Sequence, residues 1–245
     1  MSNINIGGWT RLPVRTFRLL ILALVCVPAP VLGQQSYVSR YDLFTGYTFL
    51  DSRNLRLFDN GFHFQAGVRP KTWYSLGFDY SVSSGSLTLT PDLLTTALQQ
   101  QLGGLLQQLG ALGEVPPGFS LVLPTHSITE TITGGPQLAY RHFRRITLFV
   151  RPSVGAIHEV ATPKGTNAIA NIVVSQLAPG GKKSDTTIFY GFGGGVDYIF
   201  SEHLSVRVQA DLVYDDLFNN LLKNGEITTR FSVGPCFNFG KNIRK

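Results

Sequence analysis

The sequence predicts an all-β protein: an eight-stranded antiparallel up-and-down barrel that crosses a membrane with its strands. Three observations lead there: a two-residue alternation of apolar and polar residues, links that alternate between short and long, and small residues crowded on the polar phase. Between Phe62 and Tyr214 the large apolar residues fall mostly on even numbers, as in Tyr74, Leu76, Phe78, Tyr80 and Val82, and again in Leu204, Val206, Val208, Leu212 and Tyr214. The odd positions carry mainly Gly, Ser, Thr, Gln, Asp and Arg. Successive side chains of a strand point to opposite faces, so this beat means strands with one apolar and one polar face.

Residues 1–33 stand apart from the beat. Arg11, Arg15 and Arg18 precede the apolar run Leu19 to Val27, and Pro28 and Pro30 lead to Val31-Leu32-Gly33. This pattern predicts a cleavable secretory signal peptide over 1–33, with a barrel domain over 34–245. The apolar run is too short to span a bilayer as a helix. Removing three arginines and no acid lowers the formal net charge from +6 to +3, too mild an excess to point to nucleic acid. Cys26 leaves with the leader, so Cys236 stands alone and no internal disulfide is expected.

Read along the chain, the beat gives strands near 39–50, 61–68, 73–89, 121–142, 146–159, 186–200, 204–217 and 226–239. Short links fall at Arg69 to Thr72, His142 to Arg145 and Ser201 to His203; long ones fall at 51–60, 90–120, 160–185 and 218–225. Alternating link lengths are what a barrel with two unlike rims produces. Pro136, Pro152 and Pro235 would each remove a ladder hydrogen bond and are expected at bulges or rims. Glu130 falls on the apolar phase and is expected above the hydrocarbon.

Side-chain volume sets the direction of the faces. In a soluble ligand-binding barrel the apolar side chains point inward, but an eight-stranded barrel is only wide enough for side chains to fill it. The polar phase holds Gly67, Gly77, Gly193, Gly195, Ser75, Ser81 and Ser83, which fit such an interior. The apolar face therefore points outward, to lipid. Aromatics gather at both strand ends: Trp73, Tyr74, Tyr140, Phe143, Tyr198, Phe200, Phe237 and Phe239 at short links, and Tyr47, Phe49, Tyr80, Tyr214 and Phe218 at long ones. Two such girdles are expected at membrane interfaces.

On the inner phase lie Asp42, Asp79, Arg151, Asp197, Arg207, Asp211 and Arg230, together with His63, Gln65 and Gln209. Charges in a narrow lumen must pair, because an unpaired one costs several kcal/mol. A salt-bridged core is the expectation, with a narrow proton- or ion-conducting path as the remote alternative. Cys236 is expected there as a small filler.

Candidate catalysts are confined to His126-Ser127 and His158-Glu159 near the long-loop ends of their strands. A serine nucleophile needs its base within hydrogen-bond reach, and neighbours on a strand face opposite ways. No metal-ligand spacing and no phosphate loop appear, so no metal or cofactor is expected. Gly191-Phe192-Gly193-Gly194-Gly195 lies within a strand and reads as close packing.

The long loops hold two amphipathic helices, expected at about 91–110 and 167–177. In the first, Thr90 caps, Pro91 takes the first position, and Leu94, Leu98, Leu102, Leu105 and Leu109 form a stripe. Gly103-Gly104 is a candidate kink. In the second, Ile169, Ile172, Val173 and Leu177 share one side. Either the stripes pack together over the barrel mouth, or the Leu stripe is an exposed interaction surface for an extracellular protein or matrix through loops 90–120 and 160–185.

With its leader, eight amphipathic strands, unlike rims and a last strand carrying Phe231, Val233, Phe237 and Phe239, the chain resembles the small outer-membrane β-barrels of the OmpA/OmpX-like group. The resemblance covers nearly all of 37–240 as a pattern and rests on no diagnostic motif. Gly240 to Lys245 depart from it, because in that group the final aromatic usually ends the chain. It implies a cell-outer-membrane location, contact with outer-membrane lipid and lipopolysaccharide, and a structural or adhesin-like role. Barrels of this size also include lipid A deacylases and palmitoyltransferases, which makes lipid modification the alternative.

Overall fold

The computed structural model describes residues 35–52, 57–116, 118–223 and 227–244. The expected leader, 1–33, lies outside the described residues. Eight strands close into one barrel: β1 (Ser39–Ser52), β2 (Leu57–Lys71), β3 (Tyr74–Leu89), β4 (Leu123–Tyr140), β5 (Ile146–Pro163), β6 (Lys183–Ile199), β7 (Leu204–Tyr214) and β8 (Ile227–Asn242). Each pairs antiparallel with the next, and β1 with β8 completes the circle, so the sheet has no free edge.

Several strands run past the end of their side-chain alternation. The β1–β2 ladder reaches Ser52 opposite Leu57, and β5–β6 reaches Ala161 opposite Lys183. Backbone pairing needs no apolar face, so the ladder continues above the lipid where the beat fades. β7 is shorter than expected because the chain turns in sharply at Asp215. The Asp215 carboxylate accepts from Leu217 N–H at 3.1 Å, and Phe218 adopts a left-handed φ of 51°.

The three prolines depart from expectation. Each sits inside a strand at a short interruption of one ladder, with the register unchanged across it. Pro136 and Pro152 both fall between the pairs Gly134–Val154 and Leu138–Val150, and Pro235 falls between Cys236–Phe44 and Val233–Tyr47. The lost N–H donors are thus concentrated at two gaps instead of being relieved by inserted residues.

The outward face is apolar. Phe62 is 68% exposed, and Ile188, Tyr190 and Phe192 are likewise more than half exposed. In water such a belt would far exceed an ordinary surface patch. Its upper edge on β4 to β6 is a polar row in which Glu130 pairs with His158 and His158 with Thr186. A tilted strand crosses the hydrocarbon in about 9–11 residues, so the ends of β5 and β6 beyond this row stand above it.

Apolar cores lie at the long-loop rim. Ile157, Phe189, Val213, Leu217 and Phe218 plug the top of the lumen. Above them sit α1 (Thr96–Ala111) and α2 (Ala168–Leu177), with Leu94, Leu102, Leu121, Leu123, Ala170 and Val173 packed between them. α1 begins later than expected. Leu94 is bridged to Leu222, Thr95 N–H donates to Leu221 O and Lys223 N–H to Leu93 O, which holds Leu94 and Thr95 extended and leaves Pro91–Leu93 as a separate 3₁₀ turn. α1 runs unbroken through Gly103-Gly104 and ends where Gly113 takes φ 77°. Asn167 caps α2 by accepting from Ala170 N–H at 2.8 Å.

Candidate functional site

Inside the barrel, four arginines (Arg69, Arg151, Arg207, Arg230) meet four aspartates (Asp42, Asp79, Asp197, Asp211). Nearest the short-link rim, Arg207 binds both Asp197 oxygens at 2.7 and 2.9 Å, Asp42 at 3.3 Å and Gln65 at 2.8 Å. Its guanidinium lies 4.7 Å from the Phe149 ring centroid and 5.7 Å from that of Phe44. Arg69 reaches Asp42 from below at 3.4 Å. In the middle, Arg151 and Asp79 form a bidentate pair, and His63 approaches Asp79 at 3.6 Å. Towards the long loops, Arg230 holds Asp211 at 2.9 Å and donates to Ser81 and Thr131. Bidentate geometry and buried neutral partners are what ion pairs need to survive out of water.

Glycines clear the space these acids occupy. A Cβ at Gly193 would overlap the Asp211 carboxylate, and one at Gly67 would overlap that of Asp42. Cys236 is buried, its sulfur 3.9 Å from Asp42 Oδ2. Arg207, Arg230, His63, Gln65 and Gln209 are all fully buried, so side chains fill the lumen.

Beyond the pairs, level with the apolar plug and on the long-loop side of Ile157 and Val213, sits a second group of acids, with no arginine in it: Asp59, Glu159 and Asp215. Asp59 Oδ2 accepts from Ser127 at 3.3 Å and Thr129 at 3.1 Å, while its Oδ1 and the nearby Ser52 Oγ, both buried, have no hydrogen-bond partner. Glu159 and Asp215 line one small cavity with Ser52, Leu217 and Phe218. Asp59 and Glu159 lie on the long-loop side of the register row through Glu130 and His158, and Asp215 follows the last residue of β7. Burial raises Glu159 to about 8, with Asp59 and Asp215 pushing the same way. Burial also raises Asp59 to about 6 against its two hydroxyl donors, and Asp215 to about 6 against the Leu217 N–H.

The catalytic candidates do not assemble. His126 is exposed while Ser127 is buried and donates inward to Asp59, so the two face opposite sides of the wall. His158 contacts Thr186 Oγ1 at 2.6 Å, and its neighbour Glu159 points inward. A different serine, Ser84, lies 3.3 Å from His126 Nε2, but its hydroxyl is also within reach of Ser127 O at 3.2 Å. Among the described residues no group of His, Cys, Asp and Glu could hold a metal ion.

No family model and no curated protein matches this chain. Among solved structures it is similar to Neisserial surface protein A, with a TM-score of 0.50 at 10% identity over 81% of this chain and 96% of that one. The fold is that of the small eight-stranded outer-membrane β-barrels. Two others with this barrel are Ail, the attachment invasion locus protein of Yersinia pestis, and the outer membrane protein OprG of Pseudomonas aeruginosa. Ail in complex with the heparin analogue sucrose octasulfate gives a TM-score of 0.48 at 11% identity over 82% and 99% of the two chains. OprG gives 0.45 at 7% identity over 85% and 99%. At these identities the likeness is one of fold.

Within this outer-membrane-type barrel, all seven lumen charges expected from sequence share one interior. Arg69 joins them, although its place before Pro70 reads as part of a turn; its odd number, in phase with Gln65 and Gly67, was the available signal. The Leu stripe turns inward: Leu94 and Leu102 are buried, while Leu98 and Leu105 pack against the same core, and Leu109 is half-buried. These side chains are thereby withdrawn from the surface, because α2 and Leu121 to Leu123 offer them a better apolar partner than water.

Proposed function

We propose that the protein is an integral outer-membrane barrel with a structural and surface-contact role, and that it is not a catalyst. The observation that carries this reading is a belt of exposed aromatic and aliphatic side chains around a lumen closed by four balanced ion pairs. Such a body is stable only in lipid and has no open interior through which to conduct or in which to process a solute. Its lipid partners are those of the outer membrane, including lipopolysaccharide. Its contact surface is the outward face of the two loop helices, where Gln100, Gln101, Gln107, Gln108, Asn171 and Gln176 are exposed. This uncharged, hydrogen-bonding surface suits an extracellular protein or matrix better than a charged polymer.

The test of the membrane reading is gel mobility of detergent-extracted protein with and without boiling. A heat-dependent shift is expected; its absence together with ready solubility in detergent-free buffer would sink the reading. Surface contact is tested by adhesion of expressing cells to immobilised matrix protein, which replacement of Gln100, Gln107 and Gln108 by alanine should reduce without altering the heat shift.

The Ser84–His126 contact favours one rival, lipid modification at the membrane surface. Lipid A masses from cells with and without the protein decide it. An acyl chain gained or lost, and restored to normal by His126→Ala or His158→Ala, would replace the contact role with an enzymatic one.

A further inference from the structure

The two rims differ in charge as well as in length. At the short-link rim Arg40, Lys71, Arg144, Arg145 and Lys241 are exposed, and Arg141 and Arg244 are half-buried. Against these seven cations stands a single exposed carboxylate among the described residues of that rim, Glu202; Asp42 and Asp197 are already engaged with lumen arginines. At the other rim, Lys164, Lys182, Lys183 and Lys223 are set against Asp92, Glu114, Glu130 and Asp216 among other acids. The cationic excess is therefore concentrated at one end of the molecule.

Part of it surrounds a cleft. An opening of about 720 Å³ is lined by Lys71, Trp73, Tyr140, Arg141, His142 and Arg244. Its two aromatic walls are more than half exposed and belong to the outward girdle: Trp73 carries the Lys71 ammonium 5.7 Å from its ring centroid, and Tyr140 stacks on His142 at 5.9 Å. Girdle aromatics sit at the depth of lipid headgroups. The Arg141 guanidinium is fixed in the cleft by donating to Thr72 O at 2.8 Å and Thr147 Oγ1 at 2.9 Å. Burial is the largest cause lowering its pKa to about 10, with Arg69 acting the same way and Asp197 and Asp42 opposing. Aromatic walls, a fixed guanidinium with Lys71 beside it and an opening at headgroup depth describe a seat for an anion that belongs to the membrane.

We propose that the short-link rim binds the phosphodiester headgroups of anionic phospholipid in the leaflet it faces, with Lys71, Arg141 and the adjacent Arg144 and Arg145 as the recognising cations. Zwitterionic lipid lacks the net charge to satisfy them. A soluble acidic partner would meet the rim from below, whereas the cleft is walled by Trp73 and Tyr140 of the outward aromatic girdle. Each surface cation near anionic lipid contributes about 1 kcal/mol, so removing two lowers the preference about thirtyfold. The inference rests on the membrane reading above.

The test is native mass spectrometry of the protein extracted from membranes and titrated with phosphatidylglycerol or phosphatidylcholine, and then the same lipids in nanodiscs. Preferential retention of phosphatidylglycerol is expected, falling ten- to thirtyfold in the exposed-site double variant Lys71→Gln/Arg144→Gln. Lys164→Gln/Lys182→Gln, which removes equal charge from the other rim, should leave it unchanged. Equal retention of both lipids, or equal loss in the two variants, overturns the proposal. So does selective capture of polyglutamate without lipid preference, which would assign the rim to an acidic soluble protein. Failure to enter nanodiscs at all would instead strike the membrane reading.

Discussion

Glu159 gives the mouth of the barrel a pH dependence opposite in sign to that of a salt-bridged acid. Its folded pKa is raised from 4.5 to about 8, with burial as the largest cause. Below pH 4.5 the carboxyl is protonated whether the mouth is closed or open, and contributes nothing. Above that, the open, hydrated form ionises while the closed form keeps its proton, so closure loses about 1.4 kcal/mol per pH unit until the closed form also ionises near 8. Between pH 5 and pH 8 the ceiling on this loss is about 4 kcal/mol, or nearly a thousandfold in the opening equilibrium. Amide hydrogen exchange of α1 in micelles reads that equilibrium directly once intrinsic rates are divided out. Glu159→Gln keeps the shape and removes the proton site. The variant should match wild type at pH 5 and be better protected at pH 8, with a residual fall attributable to Asp59 and Asp215 complete by about pH 7. If protection falls equally in both proteins from pH 5 to pH 8, Glu159 is not the neutral buried group described here.

Two further perturbations test the lumen and the lid. Arg207→Met strands Asp197 in a filled interior, leaves Asp42 with Arg69 alone, and should destabilise the barrel by about 3–5 kcal/mol, seen as a lower temperature for loss of the fast-migrating folded band; adding Asp197→Asn should recover part of it. Leu102→Ala removes a side chain 8% exposed from the core between α1 and α2, costing about 2–5 kcal/mol of lid packing. The expected readout is faster proteolysis at the exposed turn 112–116 with no change in the folded-band temperature.

The barrel was legible because lipid imposes a rule on every second side chain. From Tyr74 to Val82 each outward residue must be apolar, and no tertiary detail enters. The lumen was partly legible for the same reason, since the odd phase names Asp79, Arg151, Asp197, Arg207 and Asp211 without saying who meets whom. Phe44 and Phe149 break that rule. They are aromatics that point inward, and only the barrel register explains them, by setting both against the Arg207 guanidinium. The helix start was misplaced by the same kind of long-range effect: Thr90-Pro91 is a sound local signal, but strand-like contacts between 93–95 and 221–223 override it. Least legible was the acid group under the lid. Asp59 reads as a loop residue, Glu159 as the neighbour of a histidine and Asp215 as a strand end, and their proximity requires the closure of the whole barrel.

The contrast between the two buried charge groups follows from where water can return. Deep in the lumen no solvent can reach an unpaired ion, so Asp42, Asp79, Asp197 and Asp211 each take a guanidinium, and glycines such as Gly67 and Gly193 are placed to admit the geometry. Under the lid the barrier is two short helices held by a handful of leucines, and acids there can exist without a guanidinium because they retain a proton or regain water when the lid lifts. Placing an arginine beside Glu159 would therefore tighten the mouth at neutral pH and abolish its pH response. Leu217 and Phe218 stand there instead, with no cation beside the three acids among the described residues lining that cavity, and the lid is therefore expected to loosen as pH rises.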